Sequence, residues 1–252
     1  MGFGKTAAML FAIWIILLLS SLTVMSSVVT PFLKNLQTQN LVSYTWSGYV
    51  VASDVLFPQP LVTSVNGSWA VPAVTPSELN AYSAAWIGIG GQSDKTLIQC
   101  GTEHDSINGQ PRYNAWYEML PDYAITIKDF AVSPGDQISA SITLVESSTN
   151  QWLIQMVNEA NGQSFRQAFT YNSSRLSAEW VVERPTVNGA ITTLSDFATV
   201  TFTDISAQIA DTAGTISAFP SYKITMEDNR NRQLITISPL SQDGSNFTIN
   251  YP

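Results

Sequence analysis

One cysteine, one histidine and eleven basic residues in 252 positions close off most catalytic chemistries before any motif is read. With Cys100 alone, no intrachain disulfide can form, so stability has to come from a packed core. With His104 alone, a Ser-His-Asp triad would have to draw on Glu103-His104-Asp105-Ser106, a polar stretch that reads as an exposed loop. No Gly-x-Ser-x-Gly elbow surrounds any serine, and Cys100 and His104 would diverge along one strand-to-loop segment. A single His, a single Cys and no repeated acidic spacing leave no ligand set for a metal. Lys and Arg total 11 against 19 Asp and Glu, for a net charge of −8, and the bases do not cluster, which argues against nucleic acid as a partner. So few bases build little positive self-repulsion in acid, which suits an acidic medium as well as a plain polar exported protein.

What is present begins with an apolar run. Thr6 to Leu33 carries no charge, and Ala7 to Met25 is almost continuously apolar behind Lys5. Such a segment is a hydrophobic helix over residues 1–29, read as a signal peptide or a membrane anchor. The positive flank keeps its start in the cytoplasm and puts the rest outside, on the outer face of the membrane or free of it. Residues 30–40 read as a tether and 41–252 as one domain. Asn66, Asn172 and Asn246 open glycosylation triplets, which fits an exported surface.

From Val42 onward, short alternating runs are broken by turn residues such as Pro134-Gly135-Asp136, Asn161-Gly162, Asn188-Gly189 and Asp243-Gly244. No long helical period appears there. Ten or more closely spaced strands predict an all-β fold, an antiparallel β-sandwich of two large sheets.

Alternate residues of a strand share a face. In Leu97 to Gly101 that groups Leu97, Gln99 and Gly101; in Glu179 to Glu183 it groups Glu179, Val181 and Glu183. In Tyr113 to Leu120 it groups Asn114, Trp116, Glu118 and Leu120, an amide, an indole and an acid that could line a groove. Trp46 and Trp86 could line a cleft or fill the core. Brought together, Gln99 and Glu183 would supply an amide donor and a carboxylate base.

Seven strings, in order, resemble the glutamic peptidases (the eqolisins): Trp46-Ser47-Gly48-Tyr49, Gly67 to Pro72, Ala85 to Ile89, Leu97 to Gly101, Tyr113 to Glu118, Ala178 to Pro185 and Asp196 to Thr203. That resemblance implies a sandwich of two large antiparallel sheets, polypeptide substrates, a monomer and no cofactor. It puts the catalytic pair on Gln99 and Glu183, and cleft residues on Trp86 and Glu118. It also shows departures: Gly90, Glu103 and Asn114 stand where the type enzymes carry aspartates.

The reading is an acid-active endopeptidase in which ionised Glu183 takes a proton from water and Gln99 donates its N–H to the oxyanion. Trp46, Trp86, Asn114 and Glu118 would contact substrate. Two other readings stay open on the residues alone: a β-sandwich glycoside hydrolase using Glu118 and Glu183, and a non-catalytic surface glycan-binding module.

Overall fold

The computed structural model describes residues 38–252, so the hydrophobic helix expected over residues 1–29 lies outside the described residues. Residues 39–252 form one compact unit. Its strands are numbered along the chain.

In the first sheet β1 (Thr38–Ser43), β18 (Ser221–Met226), β2 (Trp46–Ala52), β12 (Ser177–Glu183), β5 (Ala84–Gly90) and β6 (Leu97–Ile107) lie side by side. On the far edge of β6, β7 (Gln110–Met119) pairs with it and carries β8 (Ile125–Thr126). The short β4 (Ala81–Tyr82) continues β5 in the same register along β6, and pairs in parallel with β15 (Thr193–Leu194). The second sheet runs β11 (Ser164–Thr170), β10 (Gln151–Asn158), β9 (Gln137–Glu146), β3 (Val62–Ala70), β16 (Thr199–Ile209), β20 (Phe247–Asn250), β19 (Thr236–Ile237), with β17 (Thr212–Gly214) on β16. A separate ribbon joins β13 (Thr186–Val187) to β14 (Ala190–Ile191). The two-sheet reading therefore holds, with β4 and β15 pairing in parallel rather than antiparallel. The first strand also starts at Thr38, inside the stretch expected to be tether.

Between the sheets, Trp69, Trp152, Trp180, Phe197, Phe202 and Phe247 are essentially unexposed. Each such side chain contributes about 1.5–3 kcal/mol by leaving water. The buried indoles between the sheets also satisfy their N–H groups: Trp69 donates to Thr102 Oγ1 at 2.8 Å, Trp180 to the Asn66 carbonyl at 2.7 Å and Trp152 to the Tyr171 carbonyl at 3.0 Å.

Glu103-His104-Asp105-Ser106 is not the exposed loop the sequence suggested. It is the second half of β6, and His104 is 1% exposed. Its polar groups find partners that a linear reading cannot see. His104 Nε2 lies 2.7 Å from Thr102 Oγ1, and the His104 carbonyl accepts from Ser83 and Ser195 hydroxyls. Asp105 Oδ1 accepts from Ser83 N–H, and Ser106 Oγ from Ser77 N–H. The turn falls two residues later, at Asn108-Gly109, where Ile107 faces Gln110 and both turn residues take positive φ (53° and 73°).

Candidate active site

The outward face of the first sheet carries a second, smaller apolar cluster of Ala84, Trp86, Leu97, Trp116 and Val181, with Trp46 and Leu120 packed on it. Register decides who meets on this face. Gln99 stands opposite Gly88 on β5 and Glu118 on β7; Glu183 stands opposite Trp46 on β2 and Ala84 on β5. The Trp86 ring spans the gap between these rows because two neighbours lack side chains. A Cβ on Gly88 would lie 2.9 Å from both Trp86 Cζ3 and Leu97 Cδ1, and one on Gly101 would lie 2.5 Å from Trp86 Cβ. Trp46 meets Trp86 edge-on, ring centroids 4.9 Å apart.

Above this face opens a groove of about 620 Å³ that both Gln99 and Glu183 line, together with Trp46, Glu103, Asp105, Trp116, Glu118 and Tyr123. Trp86 is fully buried beneath it and donates its indole N–H to Glu183 Oε2 at 2.9 Å. Gln99, 3% exposed, donates from Nε2 to Glu118 Oε2 at 2.6 Å, while its Oε1 has no partner among the described residues. An amide nitrogen carries two hydrogens, so one N–H of Gln99 is not used by Glu118.

Burial pushes the Glu183 carboxyl up to about 7, against the pull of the Trp86 and Trp46 indoles; the charge of Glu118 adds to the rise. Burial also raises Glu118, opposed by the Gln99 amide and the Ala124 backbone N–H. Asp105 is pushed up to about 7 by burial and by the neighbouring Glu103 carboxylate, against the Ser83 N–H. Glu179, on the same sheet face but fully buried, is raised well above the usual carboxylate range by loss of water, against the pull of the Ser177 hydroxyl.

Of the residues singled out from sequence, Gln99, Glu183, Trp46 and Glu118 line one groove. Trp86 supports it from below. Asn114 does not line it: its Nδ2 holds Glu103 Oε1 at 2.6 Å, one step back from the wall. Asp105 and Ser83 were missed, because the stretch holding Asp105 read as a loop. Tyr123, 91% exposed at the rim, gave no periodic signal. Among the described residues, no group of three or more His, Cys, Asp and Glu could hold a metal ion.

The model of the Peptidase A4 family matches residues 44–251. The chain belongs to the peptidase A4 family. It is thus a peptide-bond hydrolase, which selects the first of the three readings the residues left open. It is 28% identical to aspergillopepsin-2 of Aspergillus niger over 233 residues, 83% of this chain and 78% of that relative. It is 27% identical over 160 residues to scytalidopepsin B of Scytalidium lignicola, 61% of this chain and 56% of that relative. Among solved structures, scytalido-glutamic peptidase with a transition state analog inhibitor superposes with a TM-score of 0.69 at 22% identity, over 83% of this chain and 99% of that one. Aspergilloglutamic peptidase from Aspergillus niger gives 0.60 at 27% identity, over 68% and 99%. The fold that this A4 peptidase shares with scytalido-glutamic peptidase extends over 83% of its chain.

Proposed function

We propose that this peptidase is an exported, acid-active endopeptidase that works with Gln99 and Glu183 on a water held in the groove. One observation carries the reading: a single groove collects an amide with an uncommitted N–H and a carboxyl gripped by indole donors. Ionised Glu183 takes a proton from the water as its oxygen attacks the scissile carbonyl carbon. The free N–H of Gln99 donates to the oxygen that becomes negative; one such donor is worth about 10²–10³ in rate. Protonated Glu183 then passes its proton to the departing nitrogen, and the peptide C–N bond breaks without a covalent intermediate. Glu118 holds the amide so that the remaining N–H points at substrate.

Burial favours the protonated form of Glu183 up to about pH 7. Work in acid therefore requires the filled groove to stabilise the carboxylate. A bound water donating to it bonds more strongly to the ionised form than to the neutral one and lowers it. The pH profile of kcat/KM reports the free enzyme and that of kcat the complex, so the acid limb of kcat lies at lower pH. Export places the groove outside the cell, by way of the apolar run Ala7–Met25.

The test is digestion of an unfolded protein from acid to neutral pH with pepstatin present, comparing wild type with Glu183→Gln and Gln99→Ala. Cleavage by wild type alone supports the pair. Substantial cleavage by either folded variant removes that residue from the mechanism.

A further inference from the structure

The connection between β2 and β3 is unusually apolar for an exposed loop. Ser53-Asp54-Val55-Leu56-Phe57-Pro58-Gln59-Pro60-Leu61 holds one charge, and Leu56, Phe57 and Leu61 are 65%, 75% and 37% exposed. Its backbone is prepared to leave water. Leu56 and Phe57 N–H both donate to Asp54 Oδ1, at 2.7 and 2.9 Å, and Gln59 N–H donates to Ser53 Oγ at 2.8 Å. Leu61 N–H donates to the Gln59 carbonyl and Val62 N–H to the Arg175 carbonyl, while Pro58 and Pro60 have no N–H. Every backbone donor from Leu56 to Val62 is thus satisfied within the protein. Burying the tip in an apolar medium orphans none of them, which is the usual barrier to placing a loop there. Tyr222 Oη also donates to the Val55 carbonyl and pins the loop base to β18.

The loop sits where the chain enters the domain. Glu227 N–H donates to the Ser43 carbonyl, so β1 runs back along β18 from that end and starts toward Ser221. Ser221 pairs with Val51, and Ala52 N–H donates to the Pro220 carbonyl. Thr38 and the loop are therefore at one end of the first sheet. Twelve residues, 26–37, separate Thr38 from the last residue of the apolar run Ala7–Met25, a contour of at most roughly 40 Å. Trp46, where β2 meets the groove, is at the opposite end of that strand, about 20 Å from Ala52.

We propose that the tip Leu56-Phe57 inserts into the interfacial layer of the membrane that holds the N-terminal segment, and so fixes the domain with Trp46 and Glu183 turned toward solvent. The inference rests on Ala7–Met25 remaining in the membrane. Leu56 and Phe57 supply apolar area of the kind that seats interfacial anchors, and the Asp54 carboxylate stays at headgroup level. Asp54 is held below its ordinary range by the Phe57 and Leu56 N–H groups, so it remains charged there and limits the depth of insertion.

The full chain carrying Phe57→Cys, labelled with an environment-sensitive nitrobenzoxadiazole dye and reconstituted in phosphatidylcholine vesicles, tests this. Cys100 is fully buried and stays unlabelled in the folded protein. Emission at position 57 should shift to the blue and be quenched by doxyl groups on the lipid chains. The same dye at Ala190→Cys, on the ribbon that follows Glu183, should report water and escape quenching. If the chain floats with the vesicles but the dye at 57 reports water, the loop proposal is wrong and the anchor stands. If the chain does not float, anchor and loop fall together. A blue shift that grows with protein concentration in the absence of vesicles would give the loop to a second copy of the chain, and also overturns the proposal.

Discussion

Four tryptophans are fully buried among the described residues of this peptidase, and they do not do the same work. Trp69, Trp152 and Trp180 lie between the sheets and donate to neutral oxygens of Thr102, Tyr171 and Asn66. Trp86, on the other face of the first sheet, donates to the carboxylate of Glu183. The contrast extends along β6. Its inward residues Thr102 and His104 satisfy each other in a dry core. Outward, Gln99 keeps an oxygen with no partner among the described residues, and Asp105, Glu118 and Glu183, which line the same groove, are all held above the usual carboxylate range. An inward polar group that lost its partner would cost stability with no return. An outward one keeps capacity for a substrate to use.

Substitutions on the outward face should break activity and spare the fold, and the largest effects are expected there. Glu183→Gln should lower kcat by about 10³-fold or more, and Gln99→Ala by about 10²–10³, with melting temperature nearly unchanged. A melting temperature that fell in step with activity would put both residues on the structural side of the comparison.

The tryptophans sharpen it. Trp86→Phe removes the donor that favours ionised Glu183, so kcat should fall by about 10-fold and the acid limb of kcat/KM should move to higher pH. Trp180→Phe removes the buried bond to the Asn66 carbonyl instead and should cost about 1–3 kcal/mol in denaturant unfolding, with kcat per folded molecule kept. A shifted pH limb in the second variant but not the first would reverse the assignment.

Stability itself should report which face dominates. The carboxyls of Glu183 and Asp105, raised to about 7, favour the folded state below their unfolded values near 4, and that contribution is lost as pH rises through about 7. Glu179 acts in the same direction. His104, lowered to about 3 by burial, works oppositely: its contribution is present above about 6.5 and lost as pH falls through about 3. Several carboxyls against one imidazole predict a melting temperature roughly 5 °C or more higher near pH 5 than near pH 7.5. The smallest effect belongs to the imidazole. His104→Leu should cost about 1 kcal/mol at neutral pH, where Thr102 loses its imidazole partner, and be no less stable than wild type near pH 4.

Much of this arrangement could be read from the chain. Asn161-Gly162, read as a turn between alternating runs, does separate β10 from β11 (Ser164–Thr170). The polar segment 103–106 misled for a physical reason: polarity normally signals water, and the groups that replace water there come from Ser77, Ser83 and Ser195, far away in sequence. Asn114 misled differently. Alternation puts it on the groove side correctly, but its amide is taken by Glu103, directly opposite on β6.

Period-two patterning and turn chemistry sufficed for the all-β class and for which residues of each strand look the same way, because both depend on neighbours a few positions apart. Strand order and register did the rest. They set Gln99 beside Glu118, slid Trp86 over Gly88 and Gly101 to reach Glu183, and made one face of the sheet a core and the other a groove. Partners so distant along the chain meet only through the strand order of the first sheet, and local pattern carries no record of which strand will lie next to which.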